Sequence, residues 1–222
     1  MSAIHIDIAA KTYPAQSGSP AQEIFRDFRL DVAKGEFLAL LGPSGLGKTT
    51  LLNIVAGLDT DYRGAVRFEP PLPRVAYAFQ NPRLLPWRTV LENVALVLPA
   101  DAAGGEAARA VLEEVGIADL AGAYPERLSL GQQRRVALAR AFAVAPDILL
   151  MDEPFTSLDE ATSRRLRDLL RRLLAKRPAT VMFVTHDERE ADELANRVVR
   201  LEGTPVRVAS DVRAEPAPLS RP

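Results

Sequence analysis

"GPSGLGKTT", Gly42–Thr50, is the stretch on which the reading of the chain turns. It follows the apolar run "FLALL" (Phe37–Leu41) and opens the helical pattern "TLLNIVAGL". The spacing is G-x-x-x-x-G-K-[ST], set between a strand and a helix as that motif requires. Gly42, Pro43, Ser44, Gly45, Gly47, Lys48, Thr49 and Thr50 would form a cradle whose glycines let backbone N–H groups converge on one phosphate. Lys48 brings a point charge to the β and γ phosphates, and Thr49 offers a hydroxyl to Mg²⁺. The dipole of the following helix favours the anion. A plain Gly-rich turn is the competing reading, and the strand–loop–helix context argues against it. The stretch predicts binding of a nucleoside triphosphate with Mg²⁺.

Outward from this loop, short apolar runs alternate with helical patterns. "VAYAF" (Val75–Phe79), "DILLM" (Asp147–Met151) and "VMFVT" (Val181–Thr185) read, like "FLALL", as strands, mostly continuous in apolar residues as expected when both faces are covered. "GGEAARAVLEEVGI" reads as a helix. So does "DEATSRRLRDLLRRLLAKR", with Leu166, Leu169, Leu170, Leu173 and Leu174 on one stripe and its arginines facing away as a solvated surface. "IHIDIAA" and "GAVRFE" look like strands of a half-exposed sheet, separated by the loop "YPAQSGSPAQ". The pattern is an α/β sandwich with β-rich edges. Residues 84–145 form a helical subdomain within one domain over 1–208. The proline-rich end, 209–222, is expected to be a mobile tail.

Composition bounds the rest. The 222 residues can bury a substantial core. The net charge of −1 gives no overall basic field for nucleic acid. Without cysteine there is neither a disulfide nor a thiolate metal site. No signal peptide is read at the start, and no apolar run approaches the ~20 residues of a membrane span. A soluble, cytoplasmic protein is expected.

"ILLMDEP" places Asp152 directly after a strand, where a parallel sheet presents its ligand crevice. A carboxylate there can hold Mg²⁺, and Glu153 beside it can take a proton from an attacking water. In "RLSLGQQRR" (Arg127–Arg135), Ser129 followed three residues later by Gln132 has the spacing of a capping box. The start of that helix is also an anion site.

The order of phosphate loop, glutamine, "LSLGQ", "MDEP", "SLD" and a late histidine resembles the ATP-binding subunit of ABC transporters, from about Ile4 to Val208. The resemblance implies a P-loop NTPase sandwich with a mixed central sheet. It assigns Tyr13 to adenine stacking, with Phe25 and Phe28 as other nearby aromatics. Gln80 would contact Mg²⁺ and the attacking water, so that Thr49, Gln80 and Asp152 are the metal residues. Asp159 would couple the two sites of a dimer, and His186 would contact the γ-phosphate. Ser129, Gly131 and Gln132 would approach the nucleotide of a partner copy. Leu130 stands where the family has a glycine and reads as a tolerated change.

"FQNPRLLPWRTVLENV" is similar to the ATPases of nitrate, sulfonate, taurine and bicarbonate importers. The resemblance thus implies a homodimer on ATP binding, Glu153 as base, and a separate permease docked near Leu84, Leu85 and Trp87. It further implies a separate solute-binding protein and a place on the inner face of the cell membrane. Plain core packing is the other reading of Trp87. Two other classes compete: a non-transport ABC ATPase acting on nucleic acid or in translation, and a non-catalytic regulator. The absence of a heptad arm and of a second cassette argues against the first. The full set of Lys48, Thr49, Asp152, Glu153 and His186 argues against the second.

Overall fold

The computed structural model describes residues 2–15 and 20–213. These divide into two compact units, one up to Pro73 together with the chain from Thr180, the other Arg74–Ala179. Residues 84–145, expected as a helical subdomain, fall within the second unit together with two strands and a long helix.

In the first unit, β1 (Ser2–Tyr13) pairs antiparallel with β2 (Gln22–Ala33) and with β4 (Arg63–Phe68). β2 escaped the sequence reading, although Phe28, Leu30 and Val32 alternate inward as a half-buried strand should. Ile24 and Phe25 are both buried, and Asp27 at φ 48° separates them from that alternation and hides the period. Of the loop "YPAQSGSPAQ", residues 16–19 lie outside the described residues.

The same unit carries β3 (Phe37–Leu41), β7 (Thr180–Thr185), β8 (Arg197–Glu202) and β9 (Arg207–Arg213) in the order β7-β3-β8-β9. β3 runs parallel to β7 and β8, and β9 is antiparallel, so the sheet is mixed. Every residue of β7 is buried, which explains its unbroken apolar sequence. β9 corrects the expected tail: residues 209–213 are sheet, held in part by the Arg197 guanidinium on the Asp211 carboxylate at 2.7 and 2.8 Å. That pairing holds the Asp211 carboxyl below the usual range. Residues 214–222 lie outside the described residues. Helix α1 (Lys48–Val55) follows β3, and α6 (Glu188–Leu194) follows β7.

The second unit contains β5 (Val75–Ala78) parallel to β6 (Ile148–Asp152), with α2 (Val90–Ala95), α3 (Ala102–Glu114), α4 (Leu130–Ala143) and α5 (Glu160–Lys176). Leu166, Leu169, Leu170 and Leu173 are buried on α5, and Leu174 is half-buried. The arginines do not all face away. Arg167 is buried, with hydrogen bonds to Ser163 and Glu160, because a guanidinium can leave water when oxygens receive it. Thr89 and Glu92 form a capping box on α2.

Candidate functional site

In the first unit the phosphate loop is fixed by its neighbours. Gly47 sits at φ 104°, and a Cβ on it would meet Ile24 Cγ2 at 2.5 Å, so only glycine fits there. No side chain caps the start of α1. Lys48 is buried and donates to the carbonyls of Gly42 and Pro43 at 2.6 and 2.8 Å, which curls its ammonium back over the loop. Pro43, Ser44, Gly45 and Thr49 are exposed, Gly42 is half-buried, and Thr50 is buried.

Strand register brings His186 to the same edge. Leu41 of β3 lies beside Thr185 of β7 in a parallel pair, so Gly42 and His186 leave neighbouring strands at the same end. Tyr13, at the end of β1, is exposed, and its hydroxyl shares a 3.2 Å hydrogen bond with Thr50 Oγ1. Phe25 and Phe28 are buried against each other, with ring centroids 5.0 Å apart, which leaves Tyr13 as the available aromatic of the three. Lys11 Nζ lies 4.6 Å from the Tyr13 ring centroid and is anchored by Asp59 at 2.9 Å. Sequence reading missed Lys11, since a lysine in a half-exposed strand normally reads as solvated.

The second unit repeats the device. Ala78 of β5 lies beside Met151 of β6 in a parallel pair, so Gln80 and Glu153 emerge at the same end, two residues beyond each. Asp152 ends β6 and is buried; Gln80 is exposed. Glu153 has φ 43° and Ser157 has φ 66°, so non-glycine residues at both ends of this loop hold left-handed backbone. Such strain costs on the order of 1–3 kcal/mol per residue and gathers where function demands a fixed geometry. Thr156 Oγ1 donates to Glu153 Oε2 at 3.0 Å and so orients the carboxylate.

The "LSLGQ" segment starts α4 with the expected box. Ser129 Oγ accepts from the Gln132 N–H at 3.3 Å, and Gln132 Oε1 accepts from the Ser129 N–H at 2.8 Å. Leu130 is the first residue of the helix, is half-buried and has no positive φ, so its position does not demand glycine. Gly131 does: a Cβ there would meet Thr162 Cγ2 at 2.6 Å. Thr162 in turn gives its N–H to the carboxylate of Asp159, the cap of α5, at 2.9 Å. Hydrogen bonds from Thr162 hold the Asp159 carboxyl below its usual range. Ser129, Gly131 and Asp159 are thus parts of one packed junction between the starts of α4 and α5.

Behind this junction lies Arg134, which sequence reading passed over as one of two arginines in "QQRR". It is buried and donates to the carbonyl of Phe79 at 3.2 Å, with a long 3.5 Å contact to that of Thr156.

Leu84 and Leu85 are half-buried, and Trp87 is 70% exposed, so it is no core residue. Buried Asn93 holds this turn: it accepts from the Leu85 N–H at 2.8 Å and donates to the carbonyls of Leu85, Arg88 and Thr89. Nearby positions missed by sequence are Leu96 and Val97, exposed after α2, which with Tyr77, Phe79, Arg83 and Arg140 line a cavity of about 410 Å³.

The residues expected at the metal are a hydroxyl, an amide and a carboxylate, a hard oxygen set that suits Mg²⁺. Among the described residues no cluster of three His, Asp or Glu could hold a metal ion unaided. Among the described residues, no helix is long and apolar enough to cross a membrane.

Comparison with known proteins points to one family. The family model described as "ABC transporter" matches residues 25–156, more than half of the chain. The chain is 50% identical, over 90% of its length and 82% of the relative's, to the aliphatic sulfonates import ATP-binding protein SsuB of Mycobacterium sp. (strain MCS). Against SsuB 1 of Xanthomonas axonopodis pv. citri (strain 306) the identity is 42%, covering 99% of this chain and 89% of the relative. Among solved structures it resembles the dimeric, post-hydrolysis ATP-binding cassette MJ0796 bound to ADP and Pi. The TM-score is 0.82, at 30% identity over 96% of this chain and 99% of that one.

Proposed function

The chain belongs to the ABC transporter family of ATPases, and from that premise we propose that it is the ATP-hydrolysing subunit of an importer for a sulfonate-like small anion. The observation that carries the catalytic part is the pairing of β5 with β6, which delivers Gln80 and Glu153 to one edge beside buried Asp152. The aliphatic sulfonate importers among its relatives support the solute class.

In this reading two copies sit head to tail, each ATP held by the phosphate loop of one copy and Ser129, Gly131 and Gln132 of the other. Tyr13 stacks on adenine. Lys48 neutralises charge on the β and γ phosphates, while Thr49, Gln80 and Asp152 would hold Mg²⁺. When bound, the metal would supply charge neutralisation. Glu153, its carboxylate fixed by Thr156, polarises the water that attacks the γ-phosphate, and His186 contacts that phosphate. Phosphate release loosens the dimer, and this order–disorder change is the mechanical output.

The output passes to a separate permease at the inner membrane face. The knuckle of half-buried Leu84 and Leu85 and exposed Trp87 fits that contact, as do exposed Leu96 and Val97 at the rim of the cavity, because exposed apolar groups mark an interface. Solute choice rests with the permease and a separate binding protein.

The test is Glu153→Gln. We expect steady-state hydrolysis to fall by more than about 100-fold with ATP binding retained. Undiminished hydrolysis would overturn the assignment of the base.

A further inference from the structure

Two segments that must act on one γ-phosphate are joined by a single side chain. Arg134 leaves the second turn of α4 and is 5% exposed. Its guanidinium donates to the carbonyl of Phe79, directly before Gln80, and reaches the carbonyl of Thr156, whose hydroxyl holds Glu153. Farther along α4, Arg140 donates to the carbonyls of Pro82 and Arg83 at 2.7 and 3.1 Å, closing the other end of the same segment. Of these two arginines, Arg134 is the one that also reaches the carboxylate loop.

We propose that Arg134 is a positioning residue that ties the Gln80 segment to the strained loop behind Glu153, so that the two engage and release the γ-phosphate as one unit. The proposal rests on the roles given above to Gln80 and Glu153. Three features favour positioning over simple stability. A planar fork can span two carbonyls at fixed separation, which a lysine ammonium cannot. Its Nε is buried without a hydrogen-bond partner among the described residues, and an incompletely satisfied buried cation is a poor stabilising device. The loop it grips is the one whose backbone is strained at Glu153 and Ser157, where a small slackening would misdirect the carboxylate. Burial pushes the guanidinium down, while Asp152 and Glu153 act on it in the opposite sense, so it sits in the field of the catalytic carboxylates.

The experiment is steady-state ATPase kinetics of Arg134→Met, which keeps the buried stem, and of Arg134→Lys. Both are to be measured alone and with Gln80→Ala. For Arg134→Met we expect kcat to fall by about ten-fold or more with KM for ATP within about three-fold of the parent, and partial recovery in Arg134→Lys. Adding Arg134→Met to Gln80→Ala should slow the enzyme no further, because the two act through one segment. Trp87, the single tryptophan, reports on that segment independently. We expect its fluorescence to change with ATP in the parent and not in Arg134→Met. A kcat within about two-fold of the parent, or full additivity with Gln80→Ala, would overturn the proposal. If Arg134→Met does not fold, Arg134→Lys is read alone: a lowered kcat at constant KM supports the coupling, and an unchanged kcat removes it. Failure of the Glu153 or Gln80 roles shows separately, as undiminished hydrolysis in Glu153→Gln or Gln80→Ala.

Discussion

The starts of α1 and α4 are both helix N-termini with an assigned phosphate, and the chain builds them differently. At α1, Gly47 takes a left-handed conformation and no side chain caps the first turn. At α4, Ser129 and Gln132 close a reciprocal box over the first turn. A terminus without a side-chain cap has more to gain from an anion, and Lys48 adds a charge beside it. A capped terminus is already stable and has less to gain from an anion. It suits a partner's nucleotide, which must be gripped and then released. Under the proposed function, the cap together with Gly47 and Lys48 would tune one anion-binding device toward retention at α1 and toward switching at α4.

The largest effect expected from this contrast is at the open terminus. Lys48→Ala should weaken ATP binding by more than about 100-fold in a direct titration of the monomer, and an unchanged affinity would remove the loop from the site. At the capped terminus, Gly131→Ala should lower ATPase activity about ten-fold while monomer affinity for ATP holds, since its Cβ runs into Thr162 Cγ2. Thr162→Ser, which deletes that methyl group, should restore most of the loss; no rescue would mean the defect is not steric. Ser129→Ala should cost about 1 kcal/mol in a denaturant titration through the lost cap, and also lower kcat. A stability loss with full ATPase activity would make the box structural only. The smallest effect belongs to Leu130→Gly, with activity within about three-fold and a stability loss of no more than about 1 kcal/mol. Marked activation would show that the leucine had damaged the segment.

The legible parts were those written in local sequence. The phosphate loop, the buried strands β3, β6 and β7 and the box at Ser129 each depend on residues close together in the chain. The rest depended on partners far away. β2 was hidden by the phase shift at Asp27, and β9 by the proline-rich composition that follows it. The need for glycine at position 131 comes from Thr162, and the burial of Arg134 from carbonyls at Phe79 and Thr156, contacts that no periodicity encodes. Leu130 illustrates the converse: a motif comparison flags it, whereas the ordinary helical backbone shows that a side chain is accommodated there.

The central claim is that ATP joins the open terminus of one copy to the capped terminus of another. Sedimentation velocity of Glu153→Gln measures this most directly, with ATP, with ADP and without nucleotide. The account predicts a dimer with ATP and monomers otherwise, and loss of the ATP dimer when Gly131→Asp is added, because a carboxylate then faces phosphate. A monomer under all conditions, or an ATP dimer indifferent to Gly131→Asp, would contradict it.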